Sequence, residues 1–275
     1  MRALLLAAAI FSAAPARANN IITAEHPPFG DKGWALQFDN RVIASVSDEF
    51  VSRTGTASDR KVSLAANLFI TRLYIPGWLF RASLQYSDLE NAGRRRGALA
   101  DAVVEAGLSR ESGPWRWRAL LFAGVPTADY DPARLNTGAG AWSLGPNFSV
   151  TRYLADKKYD LNLWAQYSRN FTNPETRVRA GDAFAYAFEA SALFDAGLPV
   201  RAGIEQRGTL SSPNEVGGSS RGQWGRSQFS AGPALMINLQ KYLPGCQLWP
   251  IAQFDFYNRN TQKTDLYYLK LQYNW

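Results

Sequence analysis

The sequence predicts an all-β protein, a transmembrane antiparallel up-and-down β-barrel of about 12 strands that follows a cleaved signal peptide. Three observations support this prediction: an apolar leader, a recurring alternation of apolar and polar side chains, and a last strand that ends on an aromatic residue. After the leader, no stretch approaches the roughly 20 apolar residues that a membrane helix needs. Only helices and closed barrels satisfy every backbone group in hydrocarbon, so a membrane location would require a barrel.

Residues 1–18 have the features of a secretory signal peptide. Arg2 precedes an apolar run, and Ala16-Arg17-Ala18 forms a cleavage site with small residues. The apolar run is about 12 residues long, which is too short for a bilayer span of roughly 20 residues. We therefore predict a signal peptide at 1–18, a periplasmic N-terminal segment at 19–32 and an outer-membrane β-barrel at 33–275.

Alternation of side chains defines the strands. In the last segment, Leu269, Leu271, Tyr273 and Trp275 share one face and polar residues share the other, which is the two-residue period of a strand. The same pattern predicts strands at 33–46, 61–74, 78–89, 99–110, 115–125, 138–154, 159–171, 182–195, 198–209, 226–240, 248–258 and 264–275. We expect Leu271, Tyr273 and Trp275 to form the signal that the β-barrel assembly machinery recognises.

The connections between the predicted strands alternate in length. Short turns at 75–77, 111–114, 155–158 and 196–197 are expected on the periplasmic side, and longer links at 47–60, 90–98, 126–137, 172–181 and 210–225 on the outer side. Both chain ends would then lie in the periplasm. The Gly- and Ser-rich loop at 211–225 is expected to be mobile. Pro146 and Pro233 interrupt two strands and predict local bulges.

Composition excludes several kinds of site. Cys246 is the only cysteine, so neither an intramolecular disulfide nor a thiolate metal site can form. His26 is the only histidine and precedes the first strand without an evident serine or acidic partner. We assign no catalytic, cofactor-binding or metal-binding residue and predict that the chain is not an enzyme. A barrel enzyme acting on lipid and a soluble secreted sandwich remain as alternatives.

Charge is modestly positive. The chain has 30 basic and 23 acidic residues, and loss of Arg2 and Arg17 with the signal peptide leaves 28 basic residues and a net charge of +5. This excess favours anionic lipid headgroups or solutes, and an ordinary solvated loop surface also accounts for it.

Charged residues of both signs are expected in the barrel lumen, because the apolar faces should point to lipid. The predicted inward set is Arg81, Asp101, Glu105, Arg116, Arg118, Asp160, Glu189, Arg201, Glu205, Arg207, Asp255 and Lys270. Opposed basic and acidic walls would select solutes by their charge. The alternative is a salt-bridged filling that closes a narrow barrel. Inward aromatic residues are predicted at Phe69, Phe122, Trp164, Trp249, Tyr257 and Tyr268. Of these, Phe122, Trp164, Tyr257 and Tyr268 are candidates for a path that stacks a planar solute.

One region resembles a known family. Thr127-Ala128-Asp129-Tyr130-Asp131, Leu135-Asn136-Thr137-Gly138 and Trp142-Ser143-Leu144-Gly145-Pro146 precede an amphipathic strand, and the chain ends Leu-x-Leu-x-Tyr-x-Trp. This arrangement resembles the outer-membrane family named for the meta-pathway of phenol degradation. The resemblance implies a channel or transporter for small, aromatic or hydrophobic solutes.

The resemblance and the barrel prediction together suggest a location and partners. We expect the protein in the outer membrane of a Gram-negative bacterium, in contact with outer-membrane lipids, the assembly machinery and an unidentified small solute. Nucleic acid is not an expected partner. A closed structural or surface-binding barrel remains the alternative to a channel.

Overall fold

The computed structural model describes residues 33–52, 54–91, 93–127, 138–195, 197–220 and 225–274. The predicted signal peptide, the N-terminal segment with His26, most of the family-like loop (128–137) and Trp275 lie outside these residues. The described chain forms strands β1 (Ala35–Val51), β2 (Ala57–Ile75), β3 (Trp78–Asn91), β4 (Arg94–Leu99), β5 (Ala102–Ser112), β6 (Trp115–Val125), β7 (Ser143–Leu154), β8 (Tyr159–Asn170), β9 (Val178–Arg179), β10 (Ala183–Asp195), β11 (Pro199–Ser211), β12 (Glu215–Val216), β13 (Ser219–Ser220), β14 (Arg226–Asn238), β15 (Cys246–Arg259) and β16 (Thr261–Asn274). Across the same ranges, no helix is long and apolar enough to cross a membrane.

The strands form a closed antiparallel barrel. The main sheet runs β2-β1-β16-β15-β14-β11-β10-β8-β7-β6-β5-β3-β4 and closes through a pairing between β2 and β3. β4 pairs only with the second half of β3, Tyr86 to Asn91, whereas β5 pairs with the first half, Trp78 to Ser83. Twelve of the 13 strands in this sheet therefore encircle the barrel. The first and last strands pair along their length, from Gln37 with Asn274 to Val51 with Thr261. The predicted up-and-down barrel of about 12 strands is confirmed.

Apolar side chains face outward and polar ones inward. On β1, Phe38 and Val42 are exposed, whereas Gln37, Asp39 and Arg41 are buried on the other face. This arrangement is the inverse of a soluble barrel and is the one that contact with lipid requires.

Exposed aromatic residues lie near both ends of the outer surface. The end with the short turns carries Trp78, Trp115, Tyr159, Phe194 and Tyr273, and the end with the long loops carries Tyr86, Tyr167, Phe184, Phe256 and Tyr257. Their distribution matches the two aromatic girdles of a membrane barrel.

The long connections contain a second, small sheet. β9 and β13 both pair with β12, and Arg179 on β9 donates hydrogen bonds to Asp182 at 2.9 Å and Glu215 at 3.0 Å. Burial lowers the pKa of Arg179, but the hydrogen bond to Asp182 and the charges of Asp182 and Glu215 outweigh it and leave that pKa raised. The loop at 211–225 therefore contains paired strands in its described part, although its composition suggests mobility.

The two strand prolines do not produce the predicted bulges. The register of β7 against β8 is the same on both sides of Pro146, and that of β14 against β15 is the same on both sides of Pro233. A proline lacks only its own N–H, so the pairing can resume without a shift. The register shift in β14 and β15 lies between Phe229 and Ser230 instead.

Candidate functional site: the lumen wall

The candidate site is the inner wall of the barrel, where charged side chains are buried together. Asp39 on β1 lies at the centre of one cluster. Arg41 binds it with two nitrogens, at 3.0 and 2.7 Å, Arg72 Nη2 lies at 3.1 Å and Lys270 Nζ at 3.7 Å. The Lys270 ammonium also lies 3.9 Å from the ring centroid of Trp249. A buried charge without a partner is costly, so Asp39 balances the positive charges of Arg41, Arg72 and Lys270. Because these residues lie on β1, β2 and β16, the same contacts join the three strands.

A second network joins four strands around Glu105. Arg81 Nη2 on β3 lies 2.5 Å from Glu105 Oε1, and Asn147 on β7 donates a hydrogen bond to the same oxygen at 3.1 Å. The indole N–H of Trp164 on β8 donates a hydrogen bond to the side-chain oxygen Oδ1 of Asn147 at 2.8 Å. The network therefore orients the Trp164 ring within the lumen wall.

Three acidic residues occupy neighbouring strands: Asp160 on β8, Glu189 on β10 and Glu205 on β11. Glu189 and Glu205 are directly opposite each other in the ladder. Arg201 Nη1 lies 2.8 Å from Asp160 Oδ2, and Arg207 pairs with Glu205. The Oε2 atoms of Glu189 and Glu205 are buried without a hydrogen-bond partner.

These acids face a basic arc across the lumen. Arg41 lies on β1, Arg72 on β2 and Arg81 on β3. Counted around the ring, β1 is six strands from β8, β2 is six strands from β10, and β3 is six strands from β11. In a ring of 12 strands, six steps reach the opposite wall. The charges thus set up a field across the lumen, although Arg201, Arg207 and other ions of the opposite sign moderate it on each side.

The end with the short turns carries two further arginines on β6. Arg116 pairs with Glu111 and lies over the Tyr153 ring, 5.6 Å from its centroid. Arg118 lies over the Tyr74 ring at 5.9 Å.

Part of the inner wall is apolar. We call this the inner apolar patch; it consists of Ile43, Ala66, Leu68, Ile70, Ala234, Trp249, Ile251 and Tyr268. Its members lie on the five neighbouring strands β14, β15, β16, β1 and β2. An aqueous pore alone would not require such a patch, since porin lumens are polar.

A pocket opens in the half of the lumen nearer the long loops. Its walls include Trp164, Arg207, Thr209, Gln228, Gln253 and Asp255. Arg207 on β11 reaches the Tyr268 hydroxyl on β16, three strands further on, and lies over that ring at 5.4 Å from the centroid. This contact spans the wall next to the pocket. Within the described ranges, no three His, Cys, Asp or Glu residues are placed to hold a metal ion.

All nine of the candidate selectivity residues lie on the lumen side: Arg81, Glu105, Arg116, Arg118, Glu189, Arg201, Glu205, Arg207 and Lys270. Three other residues were predicted to point inward. Asp160 pairs with Arg201, and Asp255 accepts a hydrogen bond from Gln228. Asp101, which directly precedes β5, accepts hydrogen bonds from the backbone N–H groups of Ala139 and Gly140.

Asp39, Arg41 and Arg72 are lumen residues that were not among the predicted inward set. The alternation on β1 could have identified two of them. Gln37, Asp39 and Arg41 are polar and share one face, whereas the other face carries apolar Leu36, Phe38 and Val42 and is interrupted only by Asn40.

The aromatic predictions are partly corrected. Phe122, Trp164 and Tyr268 are buried on the inner wall. Tyr257 lies outside, 43% exposed, with its ring 5.4 Å from Phe229. The register shift beside Phe229 reverses the alternation of β15 at this point.

Phe69 is also outside, 53% exposed, because Leu68 and Ile70 take the inward positions. Trp249 lies inside as predicted. Of the proposed assembly signal, Leu271 and Tyr273 face outward.

The fold and the charged lumen define the class: a 12-stranded barrel of the outer-membrane type with a porin-like inner wall. The chain belongs to the family described as "Putative MetA-pathway of phenol degradation", whose model matches residues 40–271. No curated protein sequence matches the chain.

Solved structures share the fold. The COG4313 outer membrane channel from Pseudomonas putida F1 superposes with a TM-score of 0.76 at 14% identity, covering 93% of this chain and 100% of that one. The NanC porin gives a TM-score of 0.51 at 9% identity, covering 86% of this chain and 98% of its own. The KdgM porin gives 0.50 at 9% identity with the same coverage. At these identities the likeness shows a common barrel fold.

Proposed function

We propose that this chain is a channel for small solutes in the outer membrane of a Gram-negative bacterium. The observation that supports this most directly is the placing of Asp160, Glu189 and Glu205 on the wall opposite Arg41, Arg72 and Arg81. Charge arranged across a lumen orients and selects solutes during passage. The barrel fold, which it shares with channels and porins, is consistent with a role that needs no catalytic residue.

Aromatic or hydrophobic solutes are the proposed substrate class. The inner apolar patch and the buried rings of Phe122, Trp164 and Tyr268 would offer such solutes contact area inside an otherwise polar lumen. The name of the family also points to phenol degradation. Tyr257 is no part of this path, because its ring lies outside the barrel.

The outer surface supplies the proposed partners. The two aromatic girdles would contact outer-membrane lipids at both interfaces. Leu271 and Tyr273 face outward on the last strand, and the assembly machinery would recognise them together with Trp275.

The test is conductance of the purified barrel in planar lipid bilayers. Stepwise conductance is expected. When Arg116 and Arg118 are both changed to Glu, the reversal potential in a salt gradient should shift in the direction of greater selectivity for cations. Arg94→Glu is the matched control, since Arg94 is exposed on β4 outside the lumen. Liposome swelling with phenols, aromatic acids, sugars and amino acids then ranks the solutes. A barrel that neither conducts nor admits any of these solutes would refute the proposal.

A closed structural or surface-binding barrel is the second candidate. It is favoured by the burial of the inner apolar patch and by the contact of Arg207 with Tyr268. This candidate expects no conductance, and it expects deletion within 210–225 to change surface binding without changing permeability.

A further inference from the structure

Among the residues that the structure describes, Arg118 differs from the other inward arginines in having no carboxylate partner. Arg81 pairs with Glu105, Arg116 with Glu111 and Arg201 with Asp160. The Arg118 guanidinium instead lies over the face of the Tyr74 ring. Its Nε and Nη2 atoms are buried and have no hydrogen-bond partner in the described part of the chain.

The charge of Arg118 cannot be removed by deprotonation. A guanidinium stays charged at any physiological pH, unlike a buried carboxyl or amine, which can change its protonation state. The charged groups that act electrostatically on Arg118 include Arg116 and Arg72, which are also positive. Arg116 already pairs with Glu111, and Arg72 already pairs with Asp39. Positive charge is therefore left over at Arg118, and it is available to a group that enters the lumen.

The geometry of the unoccupied nitrogens selects the kind of group. Nε and Nη2 form one edge of the planar guanidinium, and this edge donates two parallel hydrogen bonds to the two oxygens of a carboxylate. The strands on either side add hydroxyl groups, because Ser109 and Ser149 are the ladder neighbours of Arg118 and both are buried on the same wall.

We propose that Arg118 is the anchor of a binding site for the carboxylate group of a small solute, at the end of the lumen nearer the short turns. The Nε and Nη2 edge binds the carboxylate oxygens, and Tyr74 holds the guanidinium plane in place. The site refines the proposed channel by naming one functional group of its solute, and it rests on that proposal for the route by which the solute arrives. Neutral phenols would pass without using this site.

The test compares benzoate with benzamide, which match in shape and differ in charge. Binding to the full-length barrel in detergent is measured by isothermal titration calorimetry, with inorganic phosphate as a third probe. Benzoate is expected to bind and benzamide is not. Arg118→Gln should weaken benzoate binding by about 10-fold or more, the range for a charged hydrogen-bonded contact, and Arg118→Lys should give an intermediate loss because it keeps the charge without the bidentate edge.

Arg94→Gln is the matched control and should bind benzoate as the unchanged barrel does. Gel mobility with and without boiling verifies that each variant is a folded barrel, and Arg118→Lys preserves the test if Arg118→Gln does not assemble. Equal binding of benzoate and benzamide, no binding of benzoate, or undiminished binding by Arg118→Gln would overturn the site. Binding of phosphate in preference to benzoate would overturn the carboxylate assignment.

Conductance of the same preparation separates this inference from the channel proposal. A barrel that conducts without binding benzoate would refute the Arg118 site alone. A barrel that binds benzoate through Arg118 but never conducts would refute the channel alone.

Discussion

Glu189 on β10 and Glu205 on β11 face each other directly across the ladder, and both side chains are buried in the lumen wall. Their surroundings differ. The Oε1 atom of Glu205 accepts hydrogen bonds from Arg207 and from Gln253, the latter at 3.2 Å, whereas Glu189 has no such arginine contact among the described residues; the Oε2 atoms of both residues have no partner there. Like charges directly opposite on a sheet are destabilising, so this pair lowers stability while concentrating negative charge on one wall.

Replacement of Glu189, the member of the pair that Arg207 does not contact, should therefore stabilise the barrel. We expect Glu189→Gln to raise the free energy of unfolding by up to about 1 kcal/mol, because it removes the repulsion and keeps the shape. Urea unfolding in lipid vesicles, followed by the loss of the fast-migrating folded band, measures the change. Glu205→Gln is the comparison and should lower stability, since Arg207 would lose its carboxylate. A less stable Glu189→Gln barrel would contradict this account.

Removal of the Asp39 charge should have the opposite effect. Asp39→Asn leaves Arg41, Arg72 and Lys270 without their shared carboxylate, and we expect a loss of about 3 to 5 kcal/mol, as for other broken buried ion pairs. The same unfolding assay applies. Glu49→Gln is the control, because Glu49 and Lys263 form a half-exposed pair at 3.8 Å and such pairs contribute about 1 kcal/mol or less. Equal effects of the two substitutions would show that Asp39 is not central to the lumen cluster.

Alternation in the sequence was sufficient to predict the 12 strands of the barrel and most of the inner wall, because side chains on a strand repeat every two residues whatever packs against them. It did not predict the short strands β4, β9, β12 and β13, which lie in segments expected to be loops. It failed where that contrast is weak or interrupted. Leu68, Phe69 and Ile70 are all apolar, so the pattern on β2 does not indicate which face is inward. Tyr257 was misplaced because a bulge depends on the pairing of two strands rather than on either sequence alone.

Contacts across strands were also beyond the reach of the sequence. Arg207 and Tyr268 meet although they are 61 residues apart, and their meeting depends on the stagger of the strands around the closed barrel. The same holds for the opposition of the acidic strands β8, β10 and β11 to β1, β2 and β3, which follows from the number of strands in the ring.

The hydrogen bond between Asp88 and Arg95 gives the outer extension of β3 and β4 a dependence on pH. The hydrogen bond from Arg95 lowers the pKa of Asp88 below its ordinary value of 3.8. A lowered pKa means that the contact stabilises the extension fully above pH 3.8 and loses this effect as the pH falls through the lower, folded value. We expect amide exchange in 94–99 to be slow at pH 6 and faster at pH 3, after correction for intrinsic rates. In Asp88→Asn this difference should disappear, and its persistence there would point to another group.

The contact of Arg207 with Tyr268 should restrict passage through the lumen. Arg207 lies on β11 and Tyr268 on β16, with β14 and β15 between them, so the two side chains cross part of the lumen to meet. We expect Tyr268→Ala to raise the single-channel conductance, because it removes both the ring and the hydroxyl from this crossing. Tyr268→Phe should have a smaller effect, since the ring keeps its place over the guanidinium and only the hydrogen bond is lost. Tyr242→Ala is the control, because Tyr242 is exposed in the turn between β14 and β15 and has no role in the lumen. Conductance that is the same in Tyr268→Ala and Tyr242→Ala would show that solutes pass elsewhere in the barrel.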